Sequence, residues 1–249
     1  MRTIKLSKPR VVLGLIFLLL AFAVHWYWLG ANKPRVPLHE QERGLAAYQS
    51  QCAACHGENA EGDSQHMAGS LASMPQWYLE EQLERFRSGI RGAHPDDQYG
   101  QQMRAVALQL TVEGQKEILD FLATLPAAAP EVTLDGDLEW GRELYDVRCA
   151  MCHRYNGHGM IGFKSAPLNG QQDWYLLEQM DKFDRGLRGY HPDDELGLKM
   201  RKELDSLPNE ADRRAVLRYI NQLARVYPAK GKNGLNTKIP AQIEDPSRH

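Results

Sequence analysis

The chain opens on an uncharged run from Val11 to Gly30, long enough to cross a bilayer core of about 30 Å as a helix. Beyond it, apolar positions recur at helical spacing. The pattern predicts a helix from about Glu40 to Gln51, stopping at a Cys-rich motif. A second spans about Gln76 to Ser88, with Tyr78, Leu79, Leu83 and Phe86 on one face. A third runs from Val112 to Leu125 with Thr111 as N-cap and Ile118, Leu119 and Leu122 apolar. The same order then repeats, with Asn209 capping the last helix. The reading is all-α.

The repetition is close. Cys52 and Cys149 open motifs of the same C-x-x-C-H form 97 residues apart, and that offset persists without a gap for some sixty positions. Gly44 and Tyr48 match Gly141 and Tyr145, and Trp77-Tyr78-Leu79 matches Trp174-Tyr175-Leu176. Phe86, Gly89, Arg91 and Gly92 match Phe183, Gly186, Arg188 and Gly189; His94-Pro95-Asp96-Asp97 matches His191-Pro192-Asp193-Asp194. A period this long means duplicated domains and not a solenoid, whose repeats run to roughly 20–50 residues. The predicted partition is a tail at 1–10, an anchor at 11–30, a first domain at 31–126, a linker at 127–134, a second domain at 135–228 and a loose tail at 229–249. Gly44 and Gly141 would let each first helix pass close to the last, with Tyr48 and Tyr145 packed at the crossing.

The ends of the chain bear on location. Arg2, Lys5, Lys8 and Arg10 precede the apolar run, and Trp26, Tyr27 and Trp28 close it as an interface belt. Basic residues keep their side of a span cytoplasmic, so the domains are expected in the periplasm, tethered to the inner membrane. Ala21-Phe22-Ala23 offers a competing reading, a signal peptide cleaved after Ala23. The formal charge is −2; the first ten residues hold four basic and no acidic side chains, so the rest carries −6. That mild acidity argues against a nucleic-acid partner.

All four cysteines lie in Cys52-Ala53-Ala54-Cys55-His56 and Cys149-Ala150-Met151-Cys152-His153. C-x-x-C-H is the attachment signature of c-type haem, in which the His binds the iron. A structural zinc would need closer pairs and no His after each, and a redox dithiol would sit in a β-α-β context that is missing here. Two covalent haem c groups are therefore expected, on Cys52 and Cys55 and on Cys149 and Cys152, with His56 and His153 as axial ligands. Met103 and Met200 are the candidate opposite ligands, each 47 residues past its His behind a Gly-x-x-Met spacing. A Met thioether would favour ferrous iron. The repeated His94 and His191 are the rivals, though Pro and two Asp after each look like a polar turn opening a helix. Arg91 and Arg188 either pair with haem propionates or stand solvated; Trp77 and Trp174 either line a haem edge or pack in the core.

These residues resemble the di-haem class I cytochromes c of the cytochrome c4 type, over both lobes from about Leu38 to Tyr227. The likeness is closest in Ala166-Pro167-Leu168-Asn169-Gly170-Gln171, Trp174-Tyr175-Leu176, Gln179, Phe183, Gly186, Arg188 and Met200. It implies two tandem class I cytochrome c domains joined near their propionates, with His56/Met103 and His153/Met200 on the irons and no catalytic residue. It implies a periplasmic respiratory-chain carrier feeding a terminal oxidase, supplied by a quinol-oxidising complex or another cytochrome. The Arg-Gly-x-His-Pro-Asp-Asp stretch also resembles cytochrome c domains attached to haem–copper oxidases. Pro167 fits the loop whose carbonyl orients the axial His. The first lobe reads Gly69-Ser70-Leu71-Ala72-Ser73 there, so a different His56 orientation is expected. The alternatives are a fixed haem subunit of an oxidase or dehydrogenase complex, or a di-haem peroxidase-like enzyme; a methionine in each lobe argues against the last.

Overall fold

A computed structural model describes residues 19–22, 37–127 and 130–229. Among these, no helix is long and apolar enough to cross a membrane. Apart from the helical residues 19–22, the expected anchor at 11–30 lies outside the described residues, as do the basic tail before it and most of the C-terminal tail.

From Leu38 onward the described chain is helical, with no strand beyond two isolated bridges. The first lobe holds α1 (Leu38–Gln51), the short α2 (Ala53–His56), α3 (Gln76–Arg87), α4 (Gln98–Gln109) and α5 (Val112–Leu122). The second holds α6 (Leu138–Leu144), a π-helical turn (Tyr145–Cys149), α7 (Ala150–His153), α8 (Asp173–Asp184), α9 (Glu195–Leu204) and α10 (Glu210–Val226). Thr111 Oγ1 accepts from Gly114 N at 3.0 Å and Asn209 Oδ1 from Asp212 N at 2.8 Å, so both expected caps form. The third helix stops at Leu122, short of the expected Leu125. Thr124 turns its N–H and hydroxyl back onto the Phe121 carbonyl, and Pro126 disfavours helical backbone at Leu125.

Each lobe buries its own apolar cluster. Tyr48, Leu83, Phe86, Ile118 and Leu122 lead the first; Tyr145, Phe183, Val216, Leu217 and Ile220 lead the second. In both, the first and last helices cross at a glycine. A Cβ on Gly44 would strike the Glu117 carbonyl of α5, and one on Gly141 the Ala215 carbonyl of α10. At each crossing a fully buried tyrosine donates from its hydroxyl to the carbonyl just past the Cys-motif histidine. Tyr48 reaches Gly57 O at 2.6 Å and Tyr145 reaches Arg154 O at 2.7 Å. The lobes differ before the motif: α1 runs unbroken to it, whereas the second lobe widens into the π turn before Cys149.

Candidate haem sites

In the first lobe one cavity is lined by Cys52, Cys55, His56 and Met103 together, walled by Leu79, Leu83, Phe86 and Leu122. The helix α2 turns both cysteines and the histidine toward it, and α4 carries Met103 in from the other side of the sequence. In the second lobe Cys149 and Met200 pack against one buried cluster, and His153 is buried beside them.

Both histidines are oriented alike. His56 Nδ1 lies 2.9 Å from Gly69 O, and His153 Nδ1 lies 2.8 Å from Ala166 O. Donation to a carbonyl fixes the tautomer and leaves Nε2 with its lone pair for a metal. Burial holds both rings below the ordinary histidine range, which keeps them neutral and able to ligate. In the second lobe the carbonyl comes from the Pro167 loop, as expected, and belongs to Ala166. One expectation is corrected: the first lobe reproduces the contact without any proline. A backbone carbonyl needs only the loop's path, so losing the Pro side chain leaves His56 held as His153 is.

The thiols of Cys52 and Cys149 are pushed up to about 11 and about 12, chiefly by burial. His94 and His191 stand in the predicted polar turns. Each offers Nδ1 to the backbone N–H two residues on, at 3.2 Å, and the next aspartates, Asp97 and Asp194, cap α4 and α9. Trp77 and Trp174 lie half-buried and edge-on to Tyr78 and Tyr175, outside both core clusters.

Arg91 and Arg188 are half-buried. They converge where the lobes meet, each over a phenylalanine ring of its own lobe, Phe86 and Phe183, at 4.5 and 4.4 Å. Arg91 donates to Gln82 in its own lobe and to Tyr175 and Gln179 across the boundary, and Arg188 donates to Gln179. Among the described residues neither has a carboxylate in ion-pair distance. Burial, and then the charge of Arg91, lowers Arg188 to about 10. Two half-buried cations with no carboxylate at ion-pair distance among the described residues fit haem propionates arriving between the lobes. The thiols, the aimed imidazoles, the thioethers and the apolar walls fit the rest of the group.

The boundary carries further polar contacts that the sequence reading passed over. Lys182 Nζ of α8 pairs with Asp97 at 2.7 Å, and Arg85 of α3 pairs with Asp194. Gln171 and Gln172 donate to the carbonyls of Ser70 and Glu61. The repeat held the signal: Arg85 and Lys182 occupy matching positions, as do Asp97 and Asp194, and Gln82 and Gln179. The faces around the two motifs differ. Val147, Met151, Ile161 and Phe163 stand exposed where the first lobe has Ser50, Ala54, Ser64 and His66.

The cytochrome c family model matches residues 41–126 and again 138–224. The thiosulfate dehydrogenase electron acceptor of Stutzerimonas stutzeri is 30% identical over 59% of this chain and 68% of its own length. Cytochrome c4 of Azotobacter vinelandii is 27% identical over 69% of this chain and 84% of its own. Among solved structures, a thiosulfate dehydrogenase from Marichromatium purpuratum aligns with a TM-score of 0.56 and 28% identity, over 73% of this chain and 40% of that longer one. Reduced cytochrome c4 from Pseudomonas stutzeri shares the fold, with a TM-score of 0.55 and 23% identity over 73% of this chain and 97% of that one. With two matched domains, each bearing a C-x-x-C-H motif for one haem c, this chain belongs to the cytochrome c family as a tandem, cytochrome c4-like electron carrier.

Proposed function

We propose that the chain is a membrane-anchored, periplasmic carrier of single electrons that passes them between a dehydrogenase and a terminal oxidase. In this reading Cys52 and Cys55 bind the first haem and Cys149 and Cys152 the second. His56 with Met103, and His153 with Met200, take the axial positions. The observation that carries it is the single cavity lined by Cys52, Cys55, His56 and Met103, with matching residues 97 positions on.

The iron of each haem supplies a one-electron ferric/ferrous couple. The protein's part is positional and electrostatic. Gly69 O and Ala166 O hold the imidazoles with Nε2 free, and the thioethers favour the reduced metal. The packed helices keep water from the site, and Arg91 and Arg188 offset propionate charge. No residue is required to move a proton. The unequal faces, apolar on the second lobe and polar on the first, favour different partners at the two ends.

A second reading has its own support. The likeness to an electron acceptor of thiosulfate dehydrogenase favours a donor that is itself a haem dehydrogenase, with this chain as its fixed acceptor subunit. Solubilisation in mild detergent separates the readings: the haem runs alone for a free carrier and with a larger enzyme for a subunit.

The ligand assignment is tested by optical spectra of the purified protein, ferric, ferrous and ferrous with carbon monoxide. Methionine–sulfur charge-transfer absorption from both ferric haems, and no carbon monoxide shift, is the expected result. A shift at one haem would remove Met103 or Met200 as a ligand and bring an enzyme to the front.

A further inference from the structure

We propose that the second lobe completes the first haem site: Lys182 is a positioning residue that fixes Asp97, the cap of the Met103 helix, and so sets the first haem's reduction potential. The proposal rests on the reading that Met103 binds the first iron.

The geometry is specific. The cavity lined by His56 and Met103 is also lined by Tyr175, Gln179 and Lys182, which belong to the other lobe. Asp97 is only 3% exposed. Its Oδ1 accepts the capping bond from Gly100 N at 3.0 Å, and the same oxygen accepts from Lys182 Nζ at 2.7 Å. The cap and the inter-lobe ion pair therefore share one atom, at the head of the helix that carries Met103. The ammonium also lies 5.8 Å from the Tyr99 ring centroid in the first turn of that helix, and 3.8 Å from Glu178 on its own helix.

The arrangement is reciprocal. Asp194 Oδ1 accepts from Gly197 N at 2.8 Å as the cap of α9, the Met200 helix, and the same oxygen accepts from Arg85 of the first lobe. Each lobe thus sends one cation from its second long helix to the other lobe's cap. A pair used only to glue the lobes would not need to end on these two oxygens. Buried as it is, with side chains 7% and 2% exposed, the Lys182–Asp97 pair shifts the local charge beside the cavity by one unit when either partner is neutralised.

The two removals have opposite signs. Lys182→Gln leaves the Asp97 carboxylate unopposed and favours ferric iron in the first site. Asp97→Asn keeps an oxygen for the Gly100 cap, leaves the ammonium with only the more distant Glu178 carboxylate at 3.8 Å, and favours ferrous iron. One charge at cavity distance corresponds to about a tenfold change in the ferrous-to-ferric ratio at fixed applied potential.

The experiment is a redox titration of the full di-haem chain, with the first haem's wave identified as the one displaced in Met103→His. The expected result is a lower first wave in Lys182→Gln, a higher one in Asp97→Asn, return toward wild type in the double variant and in Lys182→Arg, and a second wave that stays put. Shifts of one sign in both single variants, equal shifts of both waves, or no shift would overturn the proposal. Wild-type protein lacking the sulfur charge-transfer band fails separately: it removes the Met103 assignment, and this inference with it.

Discussion

Arg91 and Arg188 are held on a single oxygen: Gln179 Oε1 accepts from Arg91 Nη2 at 3.0 Å and from Arg188 Nη1 at 2.9 Å. Two like charges so placed call for negative charge nearby, which haem propionates would supply in the loaded protein. Without it, burial and then Arg91 lower Arg188 to about 10; propionates beside it would act the other way and keep it charged. Positive charge favours ferrous iron, so Arg188→Gln should lower the midpoint potentials at pH 7. Spectroelectrochemistry of the loaded protein checks it; unchanged potentials in the variant would sink the assignment.

The glycine crossings give a stability prediction with an internal ranking. A methyl group on Gly141 meets the backbone carbonyl of Ala215, and one on Gly44 meets the Glu117 carbonyl and, at 2.7 Å, Phe121 Cβ. Backbone on a packed helix does not give way as a side-chain end does. Gly141→Ala and Gly44→Ala should each destabilise their own lobe by about 2 kcal/mol or more. Gly141→Ala should be the worse, because its clash is with main-chain atoms of α10 alone. Urea denaturation followed by haem absorption reads both, and a loss under about 0.5 kcal/mol in either would contradict the close approach.

Much of this architecture was legible because duplication writes it twice. The helices, the Thr111 and Asn209 caps, the close crossing at Gly44 and Gly141 and the polar turn at His94 all follow from local pattern and the 97-residue offset. The different orientation expected for His56 did not follow from its loop's missing proline, since main-chain oxygens leave no trace in side-chain identity. The crossed pairs Lys182–Asp97 and Arg85–Asp194 escaped for a different reason. A charged residue on a helix face reads as solvated until a second lobe is laid against it, and that placement is a tertiary fact. The end of α5 before Leu125 was signalled by Pro126, whose effect on the preceding residue outweighs the apolar periodicity.

Asp173 gives the acid-sensitive element. It is fully buried at the start of α8 and gathers Thr133 N and Oγ1, Leu134 N and Asn221 Nδ2, tying the incoming linker to α8 and α10. Burial works against its charge, but the donors led by the Thr133 hydroxyl outweigh it and hold the carboxyl below the usual range. A folded pKa below the unfolded value of about 3.9 stabilises the fold above that pH, and the contribution is lost as pH falls through the folded value. Asp173→Asn should cost about 3 kcal/mol at pH 7 and progressively less below about pH 4. Denaturant midpoints at pH 7 and pH 3 test this; a gap that does not narrow in acid would assign the role to shape and not to charge.

The residue after each motif histidine gives the last prediction. Gly57 has φ 84° and ψ 161°, and its counterpart Arg154 adopts φ 65° and ψ 158°, a region costly for any side chain. Tyr145 holds Arg154 there by donating to its carbonyl at 2.7 Å, as Tyr48 does to Gly57 at 2.6 Å. Relief of strain worth about 1–3 kcal/mol exceeds the 0.5–1 kcal/mol or so that glycine's extra freedom costs on folding. Arg154→Gly should therefore stabilise the second lobe by about 1 kcal/mol. Gly57→Ala should destabilise the first, because its Cβ would also crowd the Glu61 carboxylate at 2.5 Å. Thermal melts of the two variants should move in opposite directions. A lower melting temperature in Arg154→Gly would mean that the arginine side chain stabilises its loop by more than the strain it imposes.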